Sequence, residues 1–126
     1  MFLGNWDTVF QHYDQIQEVV GWPSPALVAT LVDSTRIDKF TAEILDCGVG
    51  TGELGNELRM RGFQHLSGFD GCREMVRCST DRGIYKHLFQ QFVTTSDSFT
   101  TEYDGKFDVI CSSGVLCKGS MPPNVF

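Results

Sequence analysis

An α/β fold built on a mostly parallel sheet is what this sequence predicts, and three observations predict it. Short apolar runs alternate with stretches of helical spacing along the chain. A cluster of alternating glycines, Gly48, Gly50 and Gly52, stands between the first of those runs and the helical stretch after it. The composition is globular: 126 residues, 41% hydrophobic and 21% charged, enough for one core and too few for two. Right-handed crossovers between parallel strands then give three layers, with helices on both faces of the sheet.

The elements follow in order. From Asp7 to Val20 the apolar positions 9, 10, 13, 16, 19 and 20 carry helical spacing, ended by Gly21 and Trp22-Pro23. Ser24-Pro25 reads as an N-cap with proline at the first helical position, opening a helix through Ala26, Leu27, Leu31 and Val32 to about Asp33. These helices occupy residues 1–40, and the sheet-bearing core occupies 41–126 of one domain. Glu43 to Cys47 is the first strand. Glu53 to Arg61 is a helix closed by Gly62. Leu66 to Asp70 is the second strand, and Cys72 to about Thr80 a helix that stops before Gly83. His87 to Val93 is a weaker third strand, and Lys106 to Ser112 a fourth with the apolar run of a buried one. No repeat, linker or low-complexity segment interrupts this pattern.

Charge and cysteine usage narrow the setting. A formal net charge of −6 gains nothing from the counterion release that drives non-specific nucleic-acid binding, so no nucleic-acid partner is expected. Met1 to Asp7 has neither a basic region nor an apolar run, and the mostly apolar stretch Ala26 to Val32 is too short to span a bilayer. Cysteines at 47, 72, 78, 111 and 117 form no C-x-x-C, and their odd number argues against a closed disulfide framework. A reduced, cytoplasmic protein with no membrane association is the simplest expectation.

The stretch Ile44-Leu45-Asp46-Cys47-Gly48-Val49-Gly50-Thr51-Gly52 carries the chemistry. Glycines after a strand let the backbone turn tightly and approach a ligand, and the helix behind them offers unpaired N–H groups. Two ligands fit. Gly50-Thr51-Gly52-Glu53-Leu54-Gly55 satisfies G-x-G-x-x-G, so a dinucleotide bound at Gly50, Gly52 and Gly55 is one. Asp46 favours the other, because a carboxylate beside the turn repels a pyrophosphate and attracts a ligand carrying an ammonium and a sulfonium, such as S-adenosylmethionine. Asp46 capping the following turn is the structural alternative.

Hydrophobic-hydrophobic-Asp-x-Gly-x-Gly-x-Gly resembles the first motif of class I, Rossmann-like S-adenosylmethionine-dependent methyltransferases, with Asp46, Gly48, Gly50 and Gly52 in the matching places. The resemblance implies strands 1–4 of a seven-stranded sheet in the order 3-2-1-4. It implies cofactor contacts at Cys47 and Thr51 within the turn. Asp70 at the end of the second strand is implied to hold the ribose hydroxyls, though it also suits an N-cap of the next helix, and Gly71 and Cys72 to meet the adenosine by their backbone. Phe107-Asp108-Val109-Ile110 is similar to the family's fourth strand, which places Ser112, Ser113 and Gly114 at the cleft floor. Many relatives carry an acid after the third strand to hold the adenine amine; here Gln91 takes that place. Asn5-Trp6-Asp7 and His12-Tyr13-Asp14 resemble a lead-in helix that covers the cofactor, although Phe10 and Tyr13 serve equally well as packing residues. Ser113-Gly114-Val115-Leu116 with Met121-Pro122-Pro123-Asn124 is similar to the methyltransferase-like group linked to the Williams–Beuren region.

Other chemistry is not indicated. Ser112-Ser113-Gly114 stands where amino-methylating relatives carry an Asn/Asp-Pro-Pro-aromatic signature. His12, His65 and His87 have no partner at ligand spacing, and cysteines six apart do not suit common zinc sites, so no metal is expected. No nucleophile and base pair emerges, and direct displacement from a sulfonium requires none. The resemblance covers residues 5–126 but only four strands, so the natural protein is expected to be longer or this chain truncated. An open edge at the fourth strand then invites self-association. The leading expectation is a methyltransferase's cofactor half acting on an unidentified acceptor, a small molecule or protein; an oxidoreductase-type dinucleotide fragment and a non-catalytic fragment are the alternatives.

Overall fold

The computed structural model describes residues 24–93 and 103–114. The helix expected over residues 7–20, Tyr13 within it, Cys117 and Pro122-Pro123 lie outside them. The elements are α1 (Ser24–Ser34), β1 (Glu43–Cys47), α2 (Glu53–Met60), β2 (His65–Asp70), α3 (Arg73–Asp81), β3 (His87–Gln90) and β4 (Val109–Ser112).

The strands form one sheet in the order β3-β2-β1-β4, and every pairing is parallel. β1 lies inside the sheet because Ile44, Leu45 and Cys47 present apolar groups to both faces, as a doubly covered parallel strand requires. Its register sets Asp46 between Gly68 of β2 and Cys111 of β4, and Cys47 between Phe69 and Ser112.

Two apolar clusters follow from that alternation. On one face Ile44 and Leu66 meet Ala29 and Val32 of α1, Leu54 and Leu58 of α2, and Phe63. The other cluster joins Leu45, Cys47, Phe69 and Val93, with Phe89 and Phe107 packed against it. Stacked rings extend it from Phe69 through Phe89 and Tyr103 to Phe107, with centroids 5.7, 5.2 and 6.4 Å apart. Of the three expected layers, two are described: no described helix contributes to this second cluster. Topology explains it, since β1, β2 and β3 step the same way across the sheet and right-handed crossovers then lay α2 and α3 on one face.

Most boundaries match the sequence expectation, with three local differences. β3 stops at Gln90 rather than Val93, because β2 ends at Asp70 and the Gln91 N–H closes the ladder on the Asp70 carbonyl at 3.0 Å. β4 begins at Val109 rather than Lys106. Ahead of it the Asp108 N–H donates to the Glu43 carbonyl at 2.8 Å while its Oδ2 accepts from the Glu43 N–H at 2.8 Å, so a side chain takes the strand's place. Ser24, expected as an N-cap, instead shares a 2.7 Å hydroxyl–hydroxyl hydrogen bond with Ser113, tying α1 to the end of β4.

Candidate functional site

The glycine turn lies where β1 leaves the sheet and α2 begins. Gly48, Gly50 and Gly52 have φ of 75°, 55° and 91°, the left-handed region that an L side chain enters only with strain. Position 52 is doubly demanding: a Cβ there would stand 3.1 Å from Arg82 Cδ and 3.2 Å from Ser79 Oγ. The alternate-glycine spacing is therefore a backbone requirement rather than loose loop composition.

Side chains from elsewhere hold this turn. The Gly48 and Val49 N–H groups donate to the Phe69 carbonyl at 2.9 and 3.0 Å, seating the turn on the end of β2. Asp70 Oδ2 accepts from the Gly50 N–H at 2.9 Å, while its Oδ1 accepts from the Cys72 N–H at 2.9 Å. Asp70 thus joins the glycine turn to the start of α3, although the N-cap of that helix is Cys72 and not Asp70, because the cap position falls two residues beyond the strand's last carboxylate. On the other side of the same residue, Ser79 of α3, fully buried, donates its hydroxyl to the Gly50 carbonyl at 2.8 Å. Arg82 meets Glu53, the first residue of α2, at 2.6 Å. Gly50 is gripped at both its N–H and its carbonyl.

Asp46 lies beneath the turn and is 1% exposed. Its Oδ2 accepts from the Tyr85 hydroxyl at 2.6 Å. Its Oδ1 is the one buried side-chain nitrogen or oxygen without a hydrogen-bond partner among the described residues. Burial pushes the Asp46 carboxyl up to about 7; the Tyr85 hydrogen bond opposes that rise, and the nearby Asp70 charge adds to it. The charge that separated the two ligands in the sequence argument is therefore titratable near neutrality.

Tyr85 is the residue that sequence reasoning missed. It sits between α3 and β3, 39 positions from its partner. Two glycines make room for it: a Cβ on Gly55 would overlap the Tyr85 hydroxyl, and one on Gly68 would stand 3.2 Å from the ring while also striking Val49. The Gly55 backbone also hydrogen-bonds the phenol, whose own ionisation burial and Asp46 push far upward. Gly55, the third glycine of the G-x-G-x-x-G match, is thereby explained by tyrosine packing.

The other sequence-chosen residues cluster at the same end of the sheet. Thr51 is buried in the turn. Cys47 reaches the site by its backbone, because its side chain is buried in the second cluster and its thiol pushed up to about 12, by burial first and by Asp46 next. Gly71 accepts from Gln90 Nε2 at 3.1 Å, and Gln91 follows within hydrogen-bond reach of the Asp70 backbone. Ser112 stands opposite Cys47 at the end of β4. Among the described residues no group of three or more His, Cys, Asp or Glu could hold a metal ion.

The chain's sequence and fold have counterparts in known proteins. The family of methyltransferase domains matches residues 21–126. Methyltransferase-like protein 27 of Homo sapiens is 32% identical over 113 residues, 89% of this chain and 45% of that protein, so the chain spans under half the length of this relative. Among solved structures, the YcgJ protein from Bacillus subtilis is 26% identical with a TM-score of 0.51, over 68% of this chain and 36% of that one. The TehB-like SAM-dependent methyltransferase from Corynebacterium glutamicum matches in fold with a TM-score of 0.56 at 19% identity, over 87% of this chain and 55% of the other.

Proposed function

The chain belongs to the methyltransferase domain family, and from that premise we propose that it binds S-adenosylmethionine at the glycine turn for direct methyl transfer to an acceptor. The observation that carries this is the turn itself: three left-handed glycines held at Gly50 by Asp70 and Ser79, above a buried carboxyl with an unpartnered oxygen. An orphaned buried acceptor and a backbone with no side chains in the way fit a ligand that brings positive charge to that place.

The residues divide the work. Gly48, Gly50, Thr51, Gly52 and the Cys47 backbone line the methionine end of the ligand, and Asp46 supplies charge beneath it. Asp70 accepts from the ribose hydroxyls while keeping the Gly50 and Cys72 N–H groups in place, since a carboxylate accepts about four hydrogen bonds. Gly71 and Gln91 meet the adenine, and Ser112 floors the cleft. When bound, S-adenosylmethionine supplies a sulfonium-activated methyl group, so the chain's own task is to bind, orient and exclude water rather than to provide a nucleophile.

The acceptor in this proposal is a small molecule or a protein, in keeping with the net charge of −6. A cytoplasmic setting belongs to the same reading, supported by free thiols at Cys47, Cys72, Cys78 and Cys111. No helix of the described residues is long and apolar enough to cross a membrane.

Calorimetric titration with S-adenosylmethionine, S-adenosylhomocysteine and NAD tests the cofactor directly. Binding of the first two and not of NAD is expected. Binding of NAD alone would return the site to the dinucleotide reading.

A further inference from the structure

Asp46 has a partner on one oxygen and none on the other, and the asymmetry is built in by residues far from it in sequence. Tyr85 reaches Oδ2 at 2.6 Å through a slot that only glycine at positions 55 and 68 leaves open, and the Gly55 backbone fixes the phenol from the start of α2. Such a slot is costly to keep, because glycine in a helix or strand interior is destabilising relative to alanine. We propose that Tyr85 is a positioning residue of the cofactor site: its hydroxyl holds the Asp46 carboxyl by Oδ2 beneath the glycine turn, keeping Oδ1 as the buried acceptor that answers a cationic ligand. The inference rests on the cofactor reading above and adds to it a residue and a proton.

The proton follows from burial. The groups around the Asp46 carboxyl are Tyr85 from the α3–β3 segment, Asp70 from β2, Cys47 from β1 itself and Cys111 from β4; the two cysteine thiols are pushed upward, and none of the four brings a positive charge. With the turn empty the carboxyl therefore retains its proton up to about pH 7. A sulfonium or ammonium arriving at the turn favours the ionised form and expels that proton to solvent. Affinity for S-adenosylmethionine then rises with pH through neutrality. Removing the Tyr85 hydroxyl takes away the interaction that favours ionisation and moves the rise to higher pH.

Tyr85→Phe keeps the ring in its slot and removes only the hydroxyl. Two readouts are needed: ¹³C-carboxyl NMR titration of Asp46 without ligand, its resonance assigned by Asp46→Asn, and calorimetric affinity for S-adenosylmethionine between pH 6 and 9. The expected result is an upward move of the Asp46 midpoint in Tyr85→Phe, with affinity at pH 7 falling about fivefold for a move of one unit and recovering by pH 9. An unchanged midpoint and an unchanged affinity profile in a folded Tyr85→Phe protein would overturn the positioning role while leaving the cofactor reading intact. A wild-type protein that titrates at Asp46 but binds no S-adenosylmethionine at any pH would overturn the cofactor reading, and this inference with it.

Discussion

Asp46 is an aspartate whose environment works against its charge, and the consequence is measurable without any ligand. Its carboxyl titrates near 3.8 in an unfolded chain and near 7 in the fold, so between those values the folded state binds the extra proton. The stability contributed by Asp46 is then full below about pH 4, declines as pH rises towards 7, and is lost above it. Over the whole window the loss is up to ~4 kcal/mol, at 1.36 kcal/mol per unit. Asp46→Asn keeps the Tyr85 hydrogen bond and removes the titration. Urea unfolding at pH 5 and pH 8 is expected to give a large stability difference in the wild type and a small one in the variant; parallel pH curves for the two proteins would show that Asp46 is not the group responsible. Gly52 makes a second prediction at this scale. Gly52→Ala puts an L side chain at φ 91°, crowded by Ser79 and Arg82, at a cost of about 1–2 kcal/mol. The urea midpoint should fall, and affinity for S-adenosylmethionine should drop at least tenfold as the turn loses its shape.

Among the elements, α3 acts on the turn without belonging to it. Ser79 holds the Gly50 carbonyl, Arg82 holds Glu53, and Asp70 joins the start of α3 to the Gly50 N–H. Ser79→Ala leaves a buried carbonyl without its donor, which costs about 1–3 kcal/mol. It should also weaken cofactor binding, whereas Thr80→Ala, an exposed change one residue on whose hydroxyl bonds only within the helix, should do neither. Equal effects of the two substitutions, read by urea melts and titration, would mean that α3 matters only as a helix. This clamp marks where the sequence stopped being legible. The strand–glycine–helix unit and Asp70 were readable because their determinants are local: an apolar run, three alternate glycines, an acid at a strand end. Ser79 and Tyr85 reach the turn across 29 and 39 residues, with no periodic signature. The trace they left was indirect. Gly55 inside a helix and Gly68 inside a strand each break local propensity, and an unexplained glycine in an element's interior signals a close approach from elsewhere. The same limit explains β4, whose expected first residues gave way to a side-chain hydrogen bond from Asp108 that no apolar pattern encodes.

At the scale of the whole molecule, the strand order among the described residues puts β4 at one edge of the sheet and β3 at the other. β4 pairs only with β1 among the described residues, and its Ile110 is 57% exposed. A parallel sheet is ordinarily covered on both faces, and a bare edge presents unpaired N–H and carbonyl groups to any other strand. We therefore expect this 126-residue chain to self-associate by edge pairing at β4 as its concentration rises. Ile110→Lys places a charge on that edge, the device by which natural sheets resist such pairing. Sedimentation velocity over a concentration series should show the wild type shifting to larger species and the variant remaining monomeric. Thermal melts separate this from a general loss of fold: an exposed position tolerates lysine within about 0.5 kcal/mol, so the variant should unfold with a similar midpoint at low concentration. A wild type that stays monomeric throughout, or a variant that associates as readily, would place the contact elsewhere; the exposed pair Leu27 and Leu31 on α1 would be the next surface to charge.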